Sequence, residues 1–461
     1  MERASLPIFI LVVLVSSLWR QAECRQPPNP EKTDGARAKT VAEWLAEQKK
    51  AAELIQAASA GDPSAQCSLG NRCYLGQGVP RNHKEAAKWY QKAAEQGNAQ
   101  AQYNMGVLFS RGQGVAQDYK EAAKWYAKAA GQGAADAQNS LGMLFNNGRG
   151  VPQDYEEAAL WFRKAAEQGH AEAQYNLAML YNDGRGVPQN YAEAAQLFRR
   201  SAEQGYAPAQ HNLAVRFENG QGFPQDYKQA ADWYGKAARQ GYAAAQCSLG
   251  VLFDTGRGVS QDYAQAALWY RKAAEQGCAE AEYNLALLLD AGKGTPQDSP
   301  EAIKWLRKAG ELGFAPAQNN LAVKSMKGQG VPQDTKEAAR WFRKAAEQGH
   351  ASAQFNLGAL FSNGQGVEED YVQAYVWFSL AAVAGLENAA KARDAIAQGM
   401  TPEQIAQARD LAAKWKPVKP KETPDIKSDA ALSTGSLRGK TEGESARASR
   451  PITRTFPKNF S

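Results

Sequence analysis

The segment NGRGVPQDYEEAALWF, Asn147–Phe162, decides between two folds. A Gly-x-Gly turn ahead of a helix start can cradle a phosphate, because glycine lets backbone N–H groups approach an anion that the helix N-terminus attracts. The same residues can equally be punctuation between two helices, with glycine supplying positive φ. Self-comparison separates the two. Displacing the chain by 36 residues brings Gly148/Gly150 onto Gly76/Gly78, Gly112/Gly114 and Gly184/Gly186, and onward to Gly364/Gly366. The same shift aligns nine positions from Gln66 to Gln354, with Glu282 the single acid in the column. No copy carries the Lys-Ser/Thr of a phosphate loop, and a nucleotide site has no need of nine copies, so tandem structural repeats are expected.

Each repeat reads as two helices. In AEAQYNLAMLYN, Ala171–Asn182, the residues Ala173, Leu177, Leu180 and Tyr181 share one helical face. The second helix opens on an Asp or Asn followed three residues later by Glu or Gln, as in Asp154/Glu157, Asn82/Glu85 and Asp370/Gln373, and this predicts a capping box in every repeat. Acids at this spacing are helix caps before they are acid/base pairs. A tryptophan column, from Trp89 to Trp377 and broken only by Leu197, is expected to pack between helices. Small residues such as Gly70, Gly106 and Gly142 allow neighbouring helices to approach, and Gly97, Gly133 and Gly169 stop the second helices.

The unit AEAQYNLAMLYNDGRGVPQNYAEAAQLFRRSAEQG, Ala171–Gly205, closely resembles the Sel1-like repeat family, a relative of the tetratricopeptide repeats and here of the exported bacterial type. The resemblance runs from Ala51 to about Trp415. It implies an all-α protein, an α/α solenoid winding as a right-handed superhelix of about nine 36-residue repeats, with first helices lining a concave surface that binds proteins. Departures are Ser325 for the usual aromatic, Pro300 in a helix start, Glu282 for Gln and Lys324 for Leu.

The ends complete this organisation. Arg3 precedes the apolar run LPIFILVVLVSSLW, Leu6–Trp19, which has the length of a signal-peptide core rather than of a membrane span of ~20 residues. Residues 1–24 are therefore expected to direct export, with cleavage after Cys24 or retention as an anchor both open; Glu23 fits a lipoprotein signal poorly. Residues 25–48 read as a flexible linker, 49–415 as the repeat region with terminal helical caps, and 416–461 as a disordered, basic, Pro- and Ser-rich tail. That tail holds ten Lys or Arg against five Asp or Glu, which is +5 of the net +6. The repeats are thus nearly neutral and no nucleic-acid face is expected. Cys67, Cys73, Cys247 and Cys278 show no regular spacing, and Cys67 and Cys73 point to different faces of one helix, so disulfides are not the framework. The four histidines have no metal-ligand spacing, and no cofactor or metal site is expected.

The expected function is an exported scaffold for protein partners, with no integral span once the signal is removed and no enzyme activity: Ser-x-x-Lys, Gly-x-Ser-x-Gly and His-Glu-x-x-His are missing from the chain. The alternatives are β-lactam binding or hydrolysis, suggested for cysteine-rich relatives, and cell-envelope or exopolysaccharide assembly. Two first-helix columns are the candidate partner-binding groove. One varies in chemistry and is expected to be exposed, with Tyr103, Tyr175, His211, Tyr283 and Phe355 as anchors. Beside it Asn104, Asn176, Asn212, Asn284, Asn320 and Asn356 offer amides that could hold an extended peptide or bond neighbouring repeats.

Overall fold

The computed structural model describes residues 51–418; the signal-like segment 1–24, the linker 25–48 and residues 419–461 of the expected tail lie outside the described residues. The described residues form two compact units, 51–197 and 198–418. Both are all-α, and no strand occurs among the described residues. Helices alternate with the sequence period: Pro63–Leu75 then His83–Glu95, Ala99–Arg111 then Tyr119–Gly131, Ala135–Asn147 then Tyr155–Glu167, Ala171–Asp183 then Tyr191–Glu203, on to Ala351–Asn363 then Tyr371–Val383. Each of the paired helices is ~20 Å long at 1.5 Å per residue, which suits them to side-by-side packing.

The opening segment shows how a repeat closes. Gly148, at φ 64°, ends the first helix and donates to the carbonyls of Leu144 and Phe145. Gln153 folds its side-chain amide back to the Asn146 carbonyl at 2.8 Å, and Asp154 donates its backbone N–H to Phe145 at 3.0 Å. Asp154 then caps the second helix by accepting from Glu156 and Glu157. Gly150 does different work. At φ 72° it lies against the backbone of Tyr119 in the preceding repeat, where an added Cβ would fall 2.3 Å from the Tyr119 carbonyl carbon. Both glycines are therefore spoken for by backbone packing. The Gly106 position serves a third contact, since a Cβ there would meet the Tyr126 ring at 2.5 Å.

The capping expectation needs one correction. The Asp or Asn half of the box is present throughout, but the reciprocal half is seen at the terminal helix Pro402–Lys414, between Thr401 and Gln404. In repeats seven and eight the acid has better partners: Glu301 and Glu337 accept from Arg271 and Arg307 of the preceding repeat and from Trp305 and Trp341 one turn on. An arginine fork and an indole N–H outbid a return to the cap amide.

The ends are covered by helices. Residues 51–59 supply a helix whose Ala58 is buried and accepts from the Gln66 side chain. Pro402–Lys414 closes the other end over Tyr375, Val376 and Met400. Residues 416–418, assigned from sequence to the tail, are placed: Val418 donates its N–H to the Glu347 carbonyl at 2.7 Å, and Pro417 lies beside Gly349.

Candidate functional site

The two first-helix columns do not divide into an exposed row and a structural row. Tyr103 is 2 % exposed, so the expected exposure fails there, and Asn104 beside it is 1 % exposed. The aromatic column turns inward onto the second helix of its own repeat. Tyr103 packs against Tyr126 at 5.7 Å between ring centres, His211 against Tyr234 at 5.4 Å, and Phe355 against Phe378 at 5.3 Å. Tyr175, His211, Tyr283 and Phe355 are half-buried, and half an aromatic ring remains available at each at most.

The asparagines bond across repeats. Asn104 donates to Asn71 at 3.1 Å, Asn176 to Asn139 at 3.0 Å, Asn320 to the Tyr283 hydroxyl at 3.2 Å and Asn356 to Asn319 at 3.4 Å. Three of these rungs span 37 residues, from the asparagine column of one repeat to the variable column of the repeat before. Asn212 accepts from or faces the His211 ring at 3.3 Å, and Asn284 is half-buried. One amide hydrogen of each of these rungs is thus spent inside the protein, and the Asn104 and Asn320 carbonyl oxygens also accept internally, from Gln100 at 3.1 Å and Asn319 at 3.3 Å.

What the sequence reading passed over is the next position along the helix. Three residues beyond each asparagine of repeats seven to nine stand Leu287, Val323 and Ala359, with Leu287 40 % exposed and the other two half-buried. Asn284 and Leu287, Asn320 and Val323, and Asn356 and Ala359 then form a mixed amide and aliphatic stripe. Between repeats seven and eight the stripe opens into a cleft of about 250 Å³ lined by Leu287, Asp290, Asn320, Val323, Lys324 and Gln329. Lys324, a departure from the repeat pattern, reaches Asp290 of the preceding repeat at 2.8 Å. An ion pair therefore borders the apolar floor of the cleft. The signal for this stripe was the i, i+3 spacing from the asparagine column, hidden because aliphatic residues there look like core.

Two further ladders hold the repeats together. The Gln column is a clasp: Gln102 donates to the Ala94 carbonyl at 3.0 Å and accepts from Gln132 at 2.7 Å, and the same pair of bonds recurs around Gln66, Gln138, Gln210, Gln246 and Gln318. It ties the end of one second helix to the next first helix. At repeat seven both members change together, to Glu282 and Leu312, and the buried Glu282 carboxyl is pushed by desolvation up to about 7, with Lys308 opposing and Glu311 adding to the rise. On the second helices the lysine three residues on covers the tryptophan ring, as Lys128 does over Trp125 at 4.1 Å and Lys236 over Trp233 at 3.5 Å, except at Trp377, which is followed by Leu380 and meets Trp415 instead. Cation–π stacking at W-x-x-K spacing was legible in the sequence and would satisfy much of the tryptophan surface internally. Among the described residues no group of three or more His, Cys, Asp or Glu is placed to hold a metal ion.

With this geometry in view, the family model described as Sel1 repeat matches nine consecutive segments, beginning at residues 63–98 and ending at 351–386. The chain belongs to the Sel1 repeat family. Among solved Sel1-type structures, a protective antigen of uropathogenic Escherichia coli displaying an SLR fold is 34 % identical, with 85 % of this chain and 91 % of that one covered at a TM-score of 0.50. A Sel1 repeat protein from Oxalobacter formigenes is 33 % identical, with 66 % and 88 % covered at a TM-score of 0.52. No curated protein matches the chain. The Gly-x-Gly, Asp and Trp columns described above fall within these nine matched segments.

Proposed function

We propose that this Sel1 repeat protein is an exported, non-enzymatic scaffold that holds protein partners on the first-helix stripe of repeats seven to nine. Sel1 repeat proteins generally act in protein–protein interaction, and this reading applies that role to a defined surface. The observation that carries it is the half-open row of Asn284, Leu287, Asn320, Val323, Asn356 and Ala359 around the 250 Å³ cleft. Alternating amides and aliphatic surface suit an extended segment of a partner, whose backbone takes the amides while alternate side chains enter the apolar gaps. Export is supported by Arg3 and the apolar run Leu6–Trp19, and it accords with the description of the Escherichia coli relative as a protective antigen. Among the described residues no helix is long and apolar enough to cross a membrane.

The test is recovery of crosslinked partners from the protein's own cells, comparing the parent with a Leu287→Glu/Val323→Glu double variant. Loss of partners with helicity retained is the expected result. Equal recovery with the folded variant would remove the stripe from the interface.

A further inference from the structure

Cys247 and Cys278 lie 31 residues apart, the first on the helix Ala243–Thr255 and the second at the N-cap of Ala279–Ala291. The same pair of repeat positions is in side-chain contact on both sides of them. In the repeat before, His211 meets Tyr242 at 5.5 Å between ring centres; in the repeat after, Tyr283 meets Phe314 at 5.4 Å. Aromatic pairs fill this junction in repeats five and seven, and two thiols fill it in repeat six. Cys278 packs onto the core cluster that contains the buried Cys247, and the two sulfur atoms are hydrogen-bonded.

The two sulfurs are also inequivalent. Hydrogen bonding with Cys247 lowers the Cys278 thiol, and the first-turn amides of Ala281 and Glu280 add to this against burial and the Glu280 carboxylate, so Cys278 titrates below the ordinary thiol value. Helix N-termini lower thiol pKa values by the same means. Cys278 is half-buried while Cys247 is buried. Burial instead pushes Cys67 and Cys73 up to about 11, which keeps them protonated and unreactive.

We propose that Cys247 and Cys278 are a redox pair in which Cys278 attacks an external disulfide and Cys247 resolves the mixed disulfide, closing a Cys247–Cys278 bond across repeat six. With glutathione disulfide as oxidant, the Cys278 thiolate displaces one glutathione thiolate and forms a mixed disulfide. Cys247 then loses its proton and attacks the Cys278 sulfur, releasing the second glutathione thiolate. Two electrons pass from the cysteines to glutathione disulfide, and two thiol protons are released. The product ties the helix Ala243–Thr255 to the linker that enters repeat seven, the repeat that also carries Glu282 and the cleft. It fixes that junction without the bulky ring pair used on either side.

The experiment uses the full chain, reduced and then exposed to glutathione disulfide, followed by alkylation and non-reducing tryptic mapping. The expected result is a dithiothreitol-sensitive crosslink between the peptides Gln240–Arg257 and Ala273–Lys293, with Cys67 and Cys73 recovered alkylated. Cys278→Ser should abolish both the crosslink and glutathione incorporation at this site, whereas Cys247→Ser should leave a stable glutathione adduct on Cys278. The cap position of the helix Ala135–Asn147 that corresponds to Cys278 is Ala134, and circular dichroism checks that both variants fold. Recovery of Cys247 and Cys278 both alkylated would overturn the proposal. So would a glutathione adduct that persists on Cys278 in the parent without transfer to Cys247.

Discussion

At the residue scale, Glu282 and Tyr103 show what a single departure or a single ring contributes. Glu282 is 3 % exposed in a column of glutamines, and its carboxyl titrates at about 7 in the folded chain because burial disfavours the charge. A free Glu titrates at roughly 4.3, so between these values the folded state holds the proton and the unfolded state does not. Stability is therefore greatest in acid, falls as pH rises from about 4.3 through about 7, and is flat above. Glu282→Gln removes that slope and restores an amide donor beside the Ala274 carbonyl, as Gln246 has at Ala238. The variant should melt higher than the parent near pH 8 and close to it near pH 5; the same gain at both would refute the assignment. Tyr103→Ala is expected to cost ~3 kcal/mol or more, because it empties a fully enclosed ring site against Tyr126. Urea denaturation measures it, and a loss below about 1 kcal/mol would mean the ring lies at a surface.

At the element scale, the repeat's boundaries were readable because they are local chemistry. Asp154 caps its own helix, Gly148 ends the one before it, and the 36-residue period places every other copy. The partners of the variable column were not readable, because they lie 23, 31 or 37 residues away. His211 with Tyr242, Tyr283 with Phe314 and Cys247 with Cys278 vary as pairs inside the packing, so variation there reported matched neighbours and not exposure. Likewise the Gln clasp needs two amides 30 residues apart, and neither alone announces it. The distinction between glycines can be tested. Gly150→Ala forces a Cβ into the Tyr119 backbone at positive φ and should cost more than ~2 kcal/mol, whereas Gly133→Ala, with φ 90° and open space around it, should cost about 1 kcal/mol. Chemical denaturation of the two variants orders them, and equal losses would show that Gly150 contributes only its backbone conformation.

At the scale of the whole molecule, a tandem array needs each repeat only to satisfy its neighbours, which leaves one surface of each first helix to differ. Several differences fall in repeats seven and eight: Leu287 stands out, Lys324 pairs with Asp290, and Glu282 with Leu312 replaces the clasp. If the chain acts as the scaffold proposed, purified protein should give no turnover of a chromogenic β-lactam; turnover that survives stringent purification would reinstate a hydrolase. Export is checked by N-terminal sequencing after fractionation, with loss of the first residues expected and an intact Met1 on cytoplasmic product contrary to it. The central claim is the location of the binding surface. Photo-crosslinking amino acids placed singly at Leu287, Val323 and Ala359, and at the exposed second-helix residue Leu268, test it most directly in the protein's own cells. The account predicts that the three stripe positions capture one common partner and Leu268 does not; capture from Leu268 alone would contradict it.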